Sequence, residues 1–160
     1  MGLFDGKKGL IIGVANDRSI AWAIAQTIME QGGECGFTHL PDSPYEEKKK
    51  NQRRVAQCMH KYPQAKFLLP MDAQDDRQIA EVMRATHKEF DKIDFLLHSI
   101  AFADRRDLGR DTVRTSRDGF KLAMDISCYS LIAVTHAAMP YLSPRSSVLT
   151  MSYFGGEKCV

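Results

Sequence analysis

The pattern of this chain predicts an α/β fold built on a parallel sheet, and three observations carry that expectation. Short apolar runs recur at residues 9–14 (GLIIGV), 34–40, 66–70 (KFLLP), 93–98 (IDFLLH) and 146–151 (SSVLTM). Each is too short for a helix and is bounded by turn residues or charge, so each reads as a strand. Segments of helical length separate them. Strands apolar on both faces, alternating with helices, imply a parallel sheet covered on both sides.

The elements follow in order. Gly13 breaks the first run, and Ser19 stands where a helix would take its cap. Ile20, Ile24 and Ile28 recur every fourth residue with Ala21 and Ala25 beside them, which predicts one buried apolar stripe. Gly32 and Gly33 end that helix. The second strand closes at Pro41-Asp42-Ser43-Pro44. A charged surface helix is expected over residues 45–61, and a further helix over 75–90 with Ile79, Val82, Met83 and Phe90 inside. Residues 99–116, polar and rich in Asp and Arg, read as a loop. Residues 117–140 read as one long helix. Crossovers are almost always right-handed, so the expected architecture is a Rossmann-like, doubly wound sheet of order 3-2-1-4-5.

Composition bounds the function classes. The 160 residues carry a formal charge of +2 with both signs interspersed, which leaves no nucleic-acid footprint. The basic run Lys48-Lys49-Lys50 with Arg53 and Arg54 reads as the solvated face of a helix. Cys35, Cys58, Cys128 and Cys159 form no C-x-x-C pair and no metal spacing, consistent with reduced thiols in a cytoplasmic protein. No stretch approaches the roughly 20 apolar residues that span a bilayer. Residues 1–160 are expected to form a single domain that ends after the fifth strand.

In such sheets ligands bind beyond the carboxyl ends of the strands. Gly13 lets the backbone turn sharply and approach a ligand, Ala15 is nearly as small, and Ser19 opens a helix whose positive end faces the turn. A pyrophosphate suits that place, and so does an ordinary strand-to-helix connection. After the second strand an Asp or Glu would read a ribose for NAD and an Arg for NADP, whereas here His39 and Leu40 stand with Asp42 just beyond. Asp72 after the third strand is either an adenine contact or the cap of the next helix. His98 is a catalyst or a satisfied core histidine. Ile100 to Ala103 leave room for a flat ring. Tyr153 is a packing tyrosine or a hydrogen-bond donor to a developing oxyanion.

Taken in order, Gly13-Val14-Ala15, Ser19-Ile20-Ala21, His98-Ser99-Ile100, Asp125-Ile126-Ser127 with Tyr129-Ser130, and Leu149-Thr150-Met151-Ser152-Tyr153 resemble the bacterial NADH-dependent enoyl-acyl carrier protein reductases. These are a divergent branch of the short-chain dehydrogenase/reductases. The resemblance covers essentially the whole chain but only the N-terminal three-fifths of such an enzyme. It implies hydride transfer from NADH to the β-carbon of a trans-2-enoyl thioester in fatty acid elongation, with enoyl-acyl carrier protein as partner and a homotetramer for the full-length enzyme. It implies cofactor contacts at Gly13, Ala15, Ser19, Ile20, Leu40, Asp72, Ala73 and Ile100, and an acyl contact at Ala103. Tyr153 would be the first of two active-site tyrosines, hence the catalytic residue of this stretch. The second tyrosine and the lysine that holds the nicotinamide ribose would lie past Val160. Lys158 stands one place too far from Tyr153 to serve, with Glu157 at the required position. The chain by itself is therefore expected to be inactive. The alternative is a non-catalytic dinucleotide-binding fragment or a partner-binding remnant. A ketone- or alcohol-directed short-chain reductase fits less well, because the Y-x-x-x-K lysine is missing.

Overall fold

The computed structural model describes residues 2–45 and 48–158. Five parallel strands, β1 (Lys8–Ile12), β2 (Glu34–His39), β3 (Ala65–Pro70), β4 (Ile93–His98) and β5 (Leu142–Thr150), form one sheet of order β3-β2-β1-β4-β5. The expected Rossmann-like architecture is therefore present. Register aligns the carboxyl ends: Ile12 lies opposite His98, and His98 opposite Thr150.

The sheet separates two cores because alternate strand residues point to opposite faces. Ile11, Phe37 and Leu97 meet Trp22, Ala25 and Met29 of α1 (Ile20–Glu30) and Val55 of α2 (Lys50–Met59). On the other face Leu10, Ile12 and Leu96 meet Ile79, Val82 and Met83 of α3 (Asp76–Phe90). The switch of face between α2 and α3 follows from right-handed crossovers, since the chain reverses its direction across the sheet after β3.

Several expectations are corrected in detail. The α1 stripe is rotated: Ala21, Trp22, Ala25, Ile28 and Met29 are buried, and Ile20 at the helix start is 62% exposed. Positions 21, 22, 25, 28 and 29 share one side of the helix, and Ile20 falls outside that arc. The second helix starts at Lys50 rather than residue 45, and residues 46–47 of the expected span lie outside the described residues. Asp42 sets that start, because its two carboxylate oxygens accept the Asn51 and Gln52 amides at 2.7 and 3.0 Å. The fifth strand begins four residues earlier than expected, where the Asp94 carboxylate accepts the Ser143 hydroxyl at 3.1 Å.

The polar segment after β4 is an organised connection. It holds the short α4 (Arg105–Leu108) and a 3-10 turn at Thr112–Arg114. Asp104 caps α4 and is clamped by the Arg106 side chain, while Asp107 accepts both the Ser116 hydroxyl and its amide at 2.7 and 3.1 Å. The expected long helix is α5 (Arg117–Met124) and α6 (Ser130–Ala138) joined by a π-helical turn at Asp125–Tyr129. Run together, Arg117–Tyr141 is 25 residues long and apolar enough by length and composition to cross a membrane, which corrects the reading that no segment approaches that length. Its Ser130, Val134 and Ala138 are buried, Val134 and Ala138 in the same core as α3, as in a helix that covers a sheet.

Candidate functional site

Gly13 places the site. Its φ is +105°, and a Cβ there would fall 1.9 Å from the Ser99 carbonyl oxygen. Only glycine lets β1 turn this closely against the segment leaving β4. The Ser99 amide donates to the Ile12 carbonyl at 2.9 Å and closes the junction from the other side.

Over this junction lies an open groove of about 570 Å³. Gly13, Ala15, Leu40, Asp72, Ala73 and Ile100 line it, brought together from the ends of β1, β2, β3 and β4. Six of the eight residues assigned to a cofactor by resemblance thus share one surface. Ser19 and Ile20 sit beside it at the start of α1. The Ser19 hydroxyl does not cap α1. It turns back and accepts the Ala15 and Asn16 amides at 3.0 and 3.1 Å, fixing the shape of the turn. This leaves the Ile20 and Ala21 amides, at the positive end of the helix, donating to no group among the described residues. Ala103 and Tyr153 lie outside the groove lining, and Tyr153 is 72% exposed.

The two readings of Asp72 separate cleanly. Asp75 is the cap of α3, accepting the Arg77 and Gln78 amides, and those bonds hold its carboxyl below the usual range. Asp72 is therefore left to the groove. One of its oxygens accepts the Gln74 amide at 3.0 Å, and its own amide donates to Gln78 Oε1 at 2.9 Å.

Some groove residues were not singled out from sequence. Gln74 lines it, and its amide nitrogen reaches Asp125 Oδ2 at 2.7 Å, tying the β3 side to the π-helical turn. Leu122 and Ile126 form the wall on the α5 side. Ile126 lies within the Asp125-Ile126-Ser127 motif, so a signal existed for it. Nothing in the local sequence marks Leu122.

His98 is a core histidine that braces the site. The Ser130 hydroxyl donates to the Ile126 carbonyl at 2.6 Å, so its oxygen accepts from His98 Nε2–H at 2.7 Å. That places the proton on Nε2 and leaves Nδ1 as an acceptor facing Thr150 Oγ1 at 3.5 Å. Burial pushes the His98 pKa down, which keeps the ring neutral. Ser127 pairs with the Phe102 backbone, accepting its amide at 2.9 Å and donating to its carbonyl at 3.1 Å. The π-helical turn is what brings both serines to the end of β4. Burial pushes the Cys35 thiol up to about 12, so that cysteine is an inert core residue. Among the described residues, no group of three or more His, Cys, Asp or Glu is placed to hold a metal.

A parallel sheet of this order, with a glycine-hinged groove at its carboxyl edge beside a helix start, defines an α/β protein of the Rossmann class. Within that class the chain belongs to the enoyl-(acyl carrier protein) reductase family, whose model matches residues 13–160. The NADH-type enoyl-[acyl-carrier-protein] reductase FabI of Nostoc is 39% identical over 155 residues, covering 97% of this chain and 58% of the relative. The crystal structure of the Aquifex aeolicus NADH enzyme superposes with a TM-score of 0.90 at 36% identity, covering 99% of this chain and 60% of that one. The Anaplasma phagocytophilum reductase, solved in complex with NAD, gives 0.89 at 37% identity, covering 99% and 58%. The chain thus spans about three-fifths of the length of the relatives it matches.

Proposed function

We propose that this chain provides the dinucleotide-binding part of an NADH-dependent enoyl-acyl carrier protein reductase, acting in fatty acid elongation. The observation that carries the reading is the groove itself. Gly13, Ala15, Leu40, Asp72, Ala73 and Ile100 come from four strand ends far apart in sequence and line one surface. A flat, anionic cofactor fits its chemistry. The close approach at Gly13 leaves room for a pyrophosphate, which the free first-turn amides of Ile20 and Ala21 would meet. Asp72 would accept a hydrogen bond from an adenine amino group, with Ala73 beside it. Ile100 would lie along the cofactor towards the nicotinamide. The cofactor, when bound, supplies the hydride for the double bond of an enoyl thioester.

Ala103 would meet the acyl chain and Tyr153 would stand as the first active-site tyrosine. Both lie beyond the groove at its β4 and β5 end, on the side where substrate would enter. Residues 1–160 would act as one folding unit, in the cytoplasm, with enoyl-acyl carrier protein as the partner and a homotetramer as the assembly of the full-length enzyme. Lys158 lies over the Phe154 ring at 5.3 Å and stands five residues after Tyr153, one place past the position of the superfamily's lysine. The chain alone is accordingly expected to bind cofactor without turning over substrate.

Fluorescence titration of the purified chain with NADH tests this reading. Saturable binding is expected, together with no NADH oxidation in the presence of a crotonyl thioester. Gly13→Ala should abolish binding and cost roughly 2–4 kcal/mol of stability, because its Cβ meets backbone at a positive φ. An unbound chain, or a Gly13→Ala variant that binds as well as the parent, overturns the assignment.

A further inference from the structure

Asp72 and Ala73 sit on the connection between β3 and α3, and backbone bonds hold that connection in place. The Met71 amide donates to the His39 carbonyl at 2.9 Å, and the Asp75 amide donates to the Asp72 carbonyl at 3.1 Å. Gln74 stands exposed between these anchors. Its backbone amide donates to Asp72 Oδ1 at 3.0 Å, which aims that carboxylate. Its side-chain amide donates to Asp125 Oδ2 at 2.7 Å. A carboxylate acceptor makes such a bond stronger than one between neutral groups. Among the described residues it is the one hydrogen bond that joins the β3–α3 connection to the π-helical turn.

Gln74 and Ile126 belong to the groove lining, whereas Asp125 lies outside it. The turn that carries Asp125 is fixed at two further points, Ser127 on the Phe102 backbone and Ser130 on His98. The Asp125 carboxylate therefore stands on a braced support and acts on the groove through Gln74. Resting on the dinucleotide reading above, we propose that Gln74 and Asp125 are positioning residues for the cofactor. Their bond is a strap that fixes the distance between the Asp72–Ala73 wall and the Ile126 wall, and it holds Asp72 in its binding orientation. A binding group on a loose support must be ordered as the ligand arrives, which costs affinity. Gln74 suits the task because a neutral amide offers donors to a carboxylate, whereas a glutamate of the same length would repel it.

Isothermal titration of the purified chain and its variants with NADH tests this. Gln74→Ala and Asp125→Ala should each weaken NADH about three- to tenfold, and the double variant should bind no worse than either, because both remove one bond. Gln74→Glu sets two carboxylates against each other and should weaken NADH about tenfold. Adding Asp125→Asn to it re-forms the bond with donor and acceptor exchanged, and affinity should return to within about twofold of the parent. Asp125→Asn by itself should change little, since its amide oxygen still accepts from Gln74. A general charge effect would instead make Asp125→Asn improve binding equally in both backgrounds, and that result overturns the proposal. So does a Gln74→Ala variant that binds NADH as tightly as the parent. A parent chain that does not bind NADH removes the dinucleotide reading as well, whereas a binding parent with indifferent variants removes only the strap.

Discussion

At His98 a titratable ring sits 1% exposed, where β4, β5 and the π-helical turn converge. Its neutral Nε2–H form is required by the Ser130 hydroxyl, which has already spent its proton on Ile126. Burial lowers its pKa from the ordinary value of 6.5. Below that value the unfolded chain takes up a proton that the folded ring refuses, so stability falls as pH drops. The loss begins near 6.5 and levels off below the folded pKa. Melting temperatures measured from about pH 7.5 to 5.5 should decline, and His98→Gln should flatten that decline. The residue type at position 98 is plain in the sequence, where a satisfied core histidine is the favoured reading over a catalyst. The partners that satisfy it were not legible there, because Ser130 and Thr150 reach it only through tertiary folding.

Helix α3 shows what an element contributes and what it leaves unfinished. Asp75 caps it, and Asp75→Ala should lower the melting temperature while leaving NADH affinity unchanged. Asp72→Ala should do the reverse, since its carboxylate belongs to the groove. The sequence offered Asp72 as the cap and began the helix at Asp75, and only the direction of the two side chains shows that Asp75 takes the capping place. The same helix buries Thr86, whose hydroxyl finds no hydrogen-bond partner among the described residues. A buried hydroxyl without a partner costs desolvation with no return. Thr86→Val keeps the shape and removes the hydroxyl, and should stabilise the chain by roughly 0.5–1.5 kcal/mol in denaturant unfolding.

Across the whole molecule the sheet is unevenly covered. β1 and β4 lie inside, paired on both sides and almost wholly buried. β5 pairs with β4 alone, and Val148 and Leu149 on it are exposed. Strand edges with exposed apolar residues open more readily and invite pairing with another chain. Hydrogen exchange should therefore show β5 amides exchanging well before those of β1 and β4. Equal protection in a monomer would mean that β5 is covered in a way this fold does not provide.

The sequence by itself determined the succession of strands and helices, the parallel order 3-2-1-4-5, and the candidate contacts at the strand ends. It did so because apolar run length and turn residues are local signals, and because handedness leaves few ways to wind them. Tertiary structure alone decided which aspartate caps and which faces the groove, why Ser19 grips its own turn, and how His98 is protonated. It also decided that Asp42 serves the start of α2 and that Leu40 lines the groove. Each of these depends on where a side chain points once distant segments are packed together, and sequence spacing carries no record of that direction.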